Sequence, residues 1–190
     1  VDGTYSNQTG RATCATCPAG MRCAGQGTVV PDPCPQGGYC AAGTGTVFPK
    51  CPIGTFGAST TLSLQSQCTT CPPGDYCPTA GLTAPAGNCS AGFYCPGGSS
   101  SAQGRDPAGV LARPCPSGSW CPAGTGTPLP CPAGTYQPSE QQFLGAACVP
   151  CDAGSVCIGS ALAAPAGDCV AGHYCVRAVR EPRPTTGLST

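Results

Sequence analysis

Residues 51–95 read CPIGTFGASTTLSLQSQCTTCPPGDYCPTAGLTAPAGNCSAGFYC, and residues 131–175 read CPAGTYQPSEQQFLGAACVPCDAGSVCIGSALAAPAGDCVAGHYC. All six cysteines of the first stretch recur 80 residues later: Cys51/Cys131, Cys68/Cys148, Cys71/Cys151, Cys77/Cys157, Cys89/Cys169 and Cys95/Cys175. Pro52, Gly54, Thr55, Gly74, Gly92 and Tyr94 recur with them, and Ala84-Pro85-Ala86-Gly87 returns whole at 164–167. Self-similarity at a fixed period marks an array of small stacked units rather than one globular core.

Working outward from this stretch divides the chain into three copies: a short first one at 1–50, a complete one at 51–130, and a third at 131–190. Val1-Asp2-Gly3-Thr4-Tyr5 lines up with Pro52 to Phe56, one residue past the first cysteine of the other copies. Cys14 is therefore expected to lack a partner within residues 1–190, which accounts for an odd cysteine count. Cys14 and Cys68 lie 54 positions apart and Cys40 and Cys121 lie 81 apart, so the first copy is shorter by 27 residues. Residues 96–114, PGGSSSAQGRDPAGVLARP, are the most loop-like part of the chain. The tail from Val176 occupies the same place in the third copy, so both ends read as cut mid-repeat.

Nineteen cysteines in 190 residues, with 4 Phe, 6 Tyr and 1 Trp, leave little apolar bulk for a core. Backbone ordering costs roughly 1–2 kcal/mol per residue, and cross-links must take the place of the missing interior. Such cysteine density belongs to secreted, oxidised proteins. The 29 Gly and 23 Pro, with recurring Cys-Pro-x-Gly steps, predict tight turns and β-ladders of two residues at most, for instance at Thr55-Phe56 and Phe93-Tyr94. GASTTLSLQSQ, residues 57–67, is the only candidate turn of helix. The expected fold class is a set of small disulfide-rich repeats in an elongated tandem array, with short β-hairpins only.

Charged residues make up 8 % of the chain and the net charge is zero. No basic field exists to hold nucleic acid or an anionic membrane, and no apolar run is long enough to span a bilayer. A surface so poor in charge is expected to be covered, by glycans or by an assembly. The sequons Asn7-Gln8-Thr9 and Asn88-Cys89-Ser90 are the candidate N-glycan acceptors, and Ser99–Ser101 and Thr185-Thr186 are candidates for O-linked sugars.

Tyr39, Tyr76, Tyr94, Trp120 and Tyr174 each precede a cysteine, and Tyr5, Phe56 and Tyr136 follow Gly-Thr. Rings so placed are expected to pack on a disulfide and a neighbouring turn. The C-x2-C pairs 14/17, 68/71 and 148/151 have zinc-ligand spacing, but a single histidine and no knuckle geometry argue against metal. His173 occupies the position of Phe93, which predicts packing against Tyr174. Arg177, Arg180 and Arg183, broken by Glu181 and prolines, read as a solvated linker, and the six Asp fall in no calcium-loop pattern. No Ser/His/Asp set or paired carboxylates stand in a catalytic frame, so no enzyme and no cofactor beyond covalent glycans are expected.

The run CP-x-GT-[FY] followed by C-x2-C-x5-C, as Cys51 to Phe56 with Cys68, Cys71 and Cys77, resembles the ephrin-receptor-like cysteine-rich repeat. It is also similar to the modules of tumour-necrosis-factor receptors, and Cys131 to Cys157 repeats it. The receptor modules imply a pairing of Cys51–Cys68, Cys71–Cys89 and Cys77–Cys95, repeated as Cys131–Cys148, Cys151–Cys169 and Cys157–Cys175. They likewise imply Cys17–Cys34, Cys23–Cys40 and Cys115–Cys121, with Cys14 left over. A pair such as Cys71–Cys77 overturns this scheme. The family's ligand-binding basic residues have no counterparts here.

The functional expectation is a structural, extracellular repeat segment of a large glycoprotein that builds a rod, coat or filament. Its composition is similar to surface and flagellar-hair (mastigoneme) proteins of algae and protists. Its expected partners are copies of itself or other extracellular structural proteins at the cell or flagellar surface. The rival expectation is a receptor or adhesion ectodomain binding a protein ligand, with Trp120, Leu111 and Arg113 as the nearest thing to a distinctive patch.

Overall fold

A computed structural model describes residues 1–103 and 112–180. Its building block is much shorter than the 80-residue period. Each block opens with a Cys-x-x-Gly turn, at Cys17, Cys34, Cys51, Cys71, Cys89, Cys115, Cys131, Cys151 and Cys169, with a tenth turn of the same form at Val1–Thr4. In the Cys17 block the amide of Met21 donates to the carbonyl of Pro18 at 3.1 Å, and Gly20 between them has φ +80°. This is a type II turn in which Pro18 supplies the accepting carbonyl, Ala19 forms the first corner, and Gly20 accepts the left-handed second corner without strain. The 80-residue period is four such modules, and the short first copy is the same set with one module fewer.

After each turn, two residues pair antiparallel with the two residues that precede the next module's first cysteine. The pairs are Thr4–Tyr5 with Ala15–Thr16, Met21–Arg22 with Asp32–Pro33, and Thr55–Phe56 with Thr69–Thr70. Asp75–Tyr76 pairs with Gly87–Asn88, Phe93–Tyr94 with Arg113–Pro114, and Ser119–Trp120 with Leu129–Pro130. Thr135–Tyr136 with Val149–Pro150 and Ser155–Val156 with Gly167–Asp168 complete the set, and a single bridge joins Gly38 to Lys50. Proline at the end of a returning strand is tolerated because these two-stranded ladders are all edge. Among the described residues two short 3₁₀ turns occur, Gln65–Gln67 within the expected segment and Gly145–Ala147 at its repeat 80 residues on.

The interior is sulfur. Among the described residues, every buried apolar side chain apart from Ala112 and Val156 is a cysteine. Nine disulfides close the modules: Cys17–Cys23, Cys34–Cys40, Cys51–Cys68, Cys71–Cys77, Cys89–Cys95, Cys115–Cys121, Cys131–Cys148, Cys151–Cys157 and Cys169–Cys175. Three of the implied pairs, 51–68, 115–121 and 131–148, are present. The others are corrected: Cys17–Cys34, Cys23–Cys40, Cys71–Cys89, Cys77–Cys95, Cys151–Cys169 and Cys157–Cys175 are replaced by bonds within single turns. The physical reason is local. The type II turn folds the cysteine at its start back on the cysteine six residues later, with Cα atoms 5.8 Å apart for Cys17–Cys23, inside the range a disulfide bridges. Where that second position holds Gly57 or Gln137, the first cysteine instead reaches the cysteine before the returning strand, Cys68 or Cys148. In the loop-closure account a six-residue separation removes about 2 kcal/mol of unfolded-state entropy and a 17-residue separation about 3 kcal/mol.

The described chain forms two compact units, one of Val1–Gly87 with Gly97–Ser101, the other of Asn88–Pro96 with the described residues from 102 onward. Within the first, the amides of Gly3, Gly20, Gly37 and Gly54 donate to the carbonyls of Cys23, Cys40, Gly57 and Cys77, each one module further on, at 2.8–3.0 Å. The amides of Cys17, Cys34, Cys51 and Cys71 return the bond to Gly3, Gly20, Gly37 and Gly54. The second unit repeats both rules, with Gly92, Gly118, Gly134 and Gly154 donating to Cys121, Gln137, Cys157 and Cys175.

A third rule reaches two modules. In each loop one left-handed residue donates its amide to the first cysteine's carbonyl in the preceding module: Gly43 to Cys17, Thr61 to Cys34, Gly81 to Cys51, Gly98 to Cys71. In the second unit Gly124 bonds Cys89, Gln141 bonds Cys115, Ala161 bonds Cys131 and Ala178 bonds Cys151. The carbonyl of that same residue lies over the turn glycine two modules back. A Cβ on Gly20 would stand 2.6 Å from the oxygen of Thr61, on Gly92 2.8 Å from that of Gln141, and on Gly134 2.7 Å from that of Ala178. Gly20, Gly92 and Gly134 are therefore required twice, for their φ and for this close approach.

Candidate functional site

The aromatic residues before the second cysteine all occupy one place, the second residue of the outgoing strand. They are half-buried in eight modules counting Arg22, while Val156 is buried and Tyr174 is 66 % exposed. The ring of Tyr76 packs over Gly87, and the indole of Trp120 over Gly145. Tyr39 donates its hydroxyl to Oε1 of Gln65 at 3.3 Å. The packed partner of a disulfide is Phe93, which covers Cys89, Cys95 and Ala112. His173, in the equivalent place, is exposed, as is Tyr174 beside it, so the packing expected of that pair is not found.

The C-x2-C cysteines are occupied otherwise: Cys17, Cys68, Cys71, Cys148 and Cys151 each belong to a disulfide, in pairs that split every C-x2-C. Cys14 is exposed and outside these bonds. It borders a groove of about 360 Å³ whose lining includes Tyr5, Asn7, Thr9, Thr28 and Val29. Among the described residues no three His, Cys, Asp or Glu side chains converge on a metal-sized site, and no helix is long and apolar enough to cross a membrane.

Asn7 lies on an exposed loop beside that groove. Asn88 is exposed at the end of its strand, but its amide nitrogen lies against Gly124, where a Cβ would stand only 2.7 Å away. Its sequon hydroxyl, Ser90 Oγ, accepts a hydrogen bond from Gln103 at 2.9 Å. Ser99 and Ser100 are 0 % and 2 % exposed, and the carbonyl of Ser99 accepts from the Cys77 amide. Burial bars them from carrying O-linked sugars on the folded chain, which corrects that expectation for two of the three serines. Thr185-Thr186, Glu181 and Arg183 lie outside the described residues; Arg177 is exposed.

Asp2, unmarked in the sequence, is a clip across three modules. Its carboxylate accepts from the amide of Gly25 at 2.8 Å and from the amide and hydroxyl of Thr46, both at 3.0 Å. The Thr46 and Gly25 amides hold its carboxyl below the usual aspartate range. Gln36, at the same turn position one module beyond Cys17, instead donates its side-chain amide to the Ala58 carbonyl at 2.6 Å.

No family model matches the chain, and no curated protein matches it. Nine disulfides in modules without a conventional apolar core are typical of secreted and extracellular proteins.

Proposed function

We propose that the chain is a structural segment of a large extracellular glycoprotein, a tandem rod that packs into a coat or filament of the flagellar-hair kind, at the cell or flagellar surface. The observation that supports it is the two-module reach of the loop carbonyls over the turn glycines. A module so held is pinned by its neighbour and its next neighbour, and tension along the chain is spread over backbone hydrogen bonds and disulfides. Repeat proteins that contact only adjacent units are sums of nearest-neighbour terms; contacts two modules long add stiffness to that scheme. On this reading the chain does no chemistry, carries glycans at Asn7, and has copies of itself or similar structural chains as partners. The resemblance to ephrin-receptor-like repeats belongs with it, since a module of this kind serves as scaffold as readily as receptor.

A receptor or adhesion ectodomain is the second reading, favoured by one observation: Trp120 and Phe143 stand where the first copy has Tyr39 and Ser63, which makes this surface the more apolar of the two. Electron microscopy of the native parent protein decides between them. Regular filaments with a fixed axial repeat are expected; isolated ectodomains on a membrane would overturn the scaffold reading.

A further inference from the structure

The same scaffold position occurs twice with opposite surfaces. Where the Cys34 and Cys51 modules meet, Leu64 and Val47 are exposed, at 58 % and 86 %, but the groups around Tyr39 are mostly polar. Tyr39 donates to Gln65, Gln67 Oε1 accepts from the amide and hydroxyl of Ser63 and from the amide of Leu64, and Lys50 stands 4.6 Å from the Phe48 ring centre. At the equivalent place in the Cys115 and Cys131 modules, Tyr39 becomes Trp120, Lys50 becomes Pro130, Ser63 becomes Phe143, Gln65 becomes Gly145 and Gln67 becomes Ala147. Pro49 becomes Leu129, and Leu64 is kept as Leu144.

The result is one apolar surface in the second unit. Trp120 and Leu129 are cross-strand partners, and the indole covers Gly145, directly after Phe143 and Leu144. Leu129 is 39 % exposed, Phe143 50 % and Leu144 57 %. The segment is held rigid: the Gln141 amide is bonded to Cys115, the Gln142 carbonyl to Cys121, and the buried Gln137 side chain to the Ala147 carbonyl. A preorganised surface loses little entropy on binding. The first copy folds with Tyr39, Pro49 and Ser63 where the second has Trp120, Leu129 and Phe143, so these three apolar groups are not required for the module to fold.

We infer that Trp120, Leu129, Phe143 and Leu144 form a self-association surface, which seats on the same surface of a second copy of this chain. Charge selects this occupant. Residues 115–151 carry Glu140 as their only charged side chain, so two such surfaces meet without like-charge repulsion. A receptor site for a separate protein ligand has instead a polar and charged rim around its apolar anchors. An isologous pairing, in which each patch faces its own copy, closes as a dimer. This inference rests on the scaffold reading and names the surface through which copies join.

The test is sedimentation velocity on the chain with its nine disulfides intact and Cys14→Ser to bar intermolecular disulfides, across concentrations up to about 1 mM, where even weak pairing of roughly −4 kcal/mol is visible. The comparison is the triple variant Trp120→Tyr, Phe143→Ser, Gly145→Gln, which installs the side chains the first copy already folds with. The wild-type chain is expected to dimerise, and the variant to dimerise at least about tenfold more weakly with an unchanged disulfide map. Association that survives the variant overturns the surface and leaves the scaffold reading standing. A wild-type chain that stays monomeric overturns the surface, and takes the scaffold reading with it only if the parent protein also forms no filaments under the microscope.

Discussion

The carbonyl of Thr61 sits over Gly20, two modules away, so closely that a Cβ on Gly20 would lie 2.6 Å from its oxygen. Gly154, with φ +89° in the same kind of turn, has nothing within 4 Å of the equivalent point. Gly154→Ala is expected to cost about 1–2 kcal/mol, the strain of a left-handed alanine. Gly20→Ala is expected to cost about 1–3 kcal/mol more, because the added methyl also displaces the Thr61 backbone. Denaturant unfolding of the two variants with disulfides intact measures the difference; equal losses would show that the two-module contact contributes nothing.

The left-handed loop position is filled by Gly43, Gly81, Gly98 and Gly124 in four modules, but by Thr61, Gln141, Ala161 and Ala178 in four others, with φ from 60° to 71°. Replacing Ala161 by glycine relieves the left-handed strain and adds unfolded-state entropy. The net is expected to be a gain of about 0.5–1 kcal/mol, read as a higher unfolding midpoint. A lower midpoint would mean that the Ala161 methyl makes contacts worth more than its strain.

Much of this organisation is legible in the sequence. Cys-x-x-Gly at Cys17, Cys71 and Cys115 announces the turn, two-residue ladders follow from the Gly and Pro spacing, and the scarcity of large apolar residues announces a sulfur interior. The pairing differs from the one the receptor modules imply, because here the residue six positions after the first cysteine decides. A cysteine there, as at Cys77, closes the turn, and Gly57 or Gln137 sends the bond to Cys68 or Cys148. The contacts over two modules were out of reach, since a glycine required for φ and one required for close approach look alike in a sequence. The apolar surface is half visible in the sequence: Trp120 is distinctive there, with Leu111 and Arg113 beside it, whereas Leu129 and Phe143 come from segments that only the turn register brings to Trp120.

Asp2 ties its own turn to Gly25 and Thr46, and those backbone amides keep its folded pKa below the unfolded value of an aspartate. A depressed carboxyl pKa adds stability that is complete above the unfolded pKa and is lost as pH falls through the folded one. The first module is therefore expected to loosen in acid, and Asp2→Asn to flatten that part of the pH profile. Hydrogen exchange at the Gly25 and Thr46 amides as a function of pH reads it directly; protection that does not change in acid would remove Asp2 from the role of clip.

Asn7 is on an open loop, whereas the Asn88 amide nitrogen is packed against Gly124 and precedes the buried Cys89. The expected outcome is occupancy at Asn7 and little or none at Asn88. Enzymatic release of N-glycans in heavy-oxygen water, followed by peptide mass mapping, labels each formerly occupied asparagine. Full labelling at Asn88 would contradict the packing seen there.

The central claim is that each module is closed by its own turn disulfide. Non-reducing peptide mapping of the native chain, with thiol counting after unfolding, tests it most directly. The expected map has Cys71–Cys77, Cys89–Cys95 and Cys151–Cys157 each within one short peptide, Cys51–Cys68 and Cys131–Cys148 between peptides, and in the 190-residue chain a single reactive thiol, at Cys14. Crossed pairs such as Cys71–Cys89 with Cys77–Cys95, or several free thiols, would contradict it.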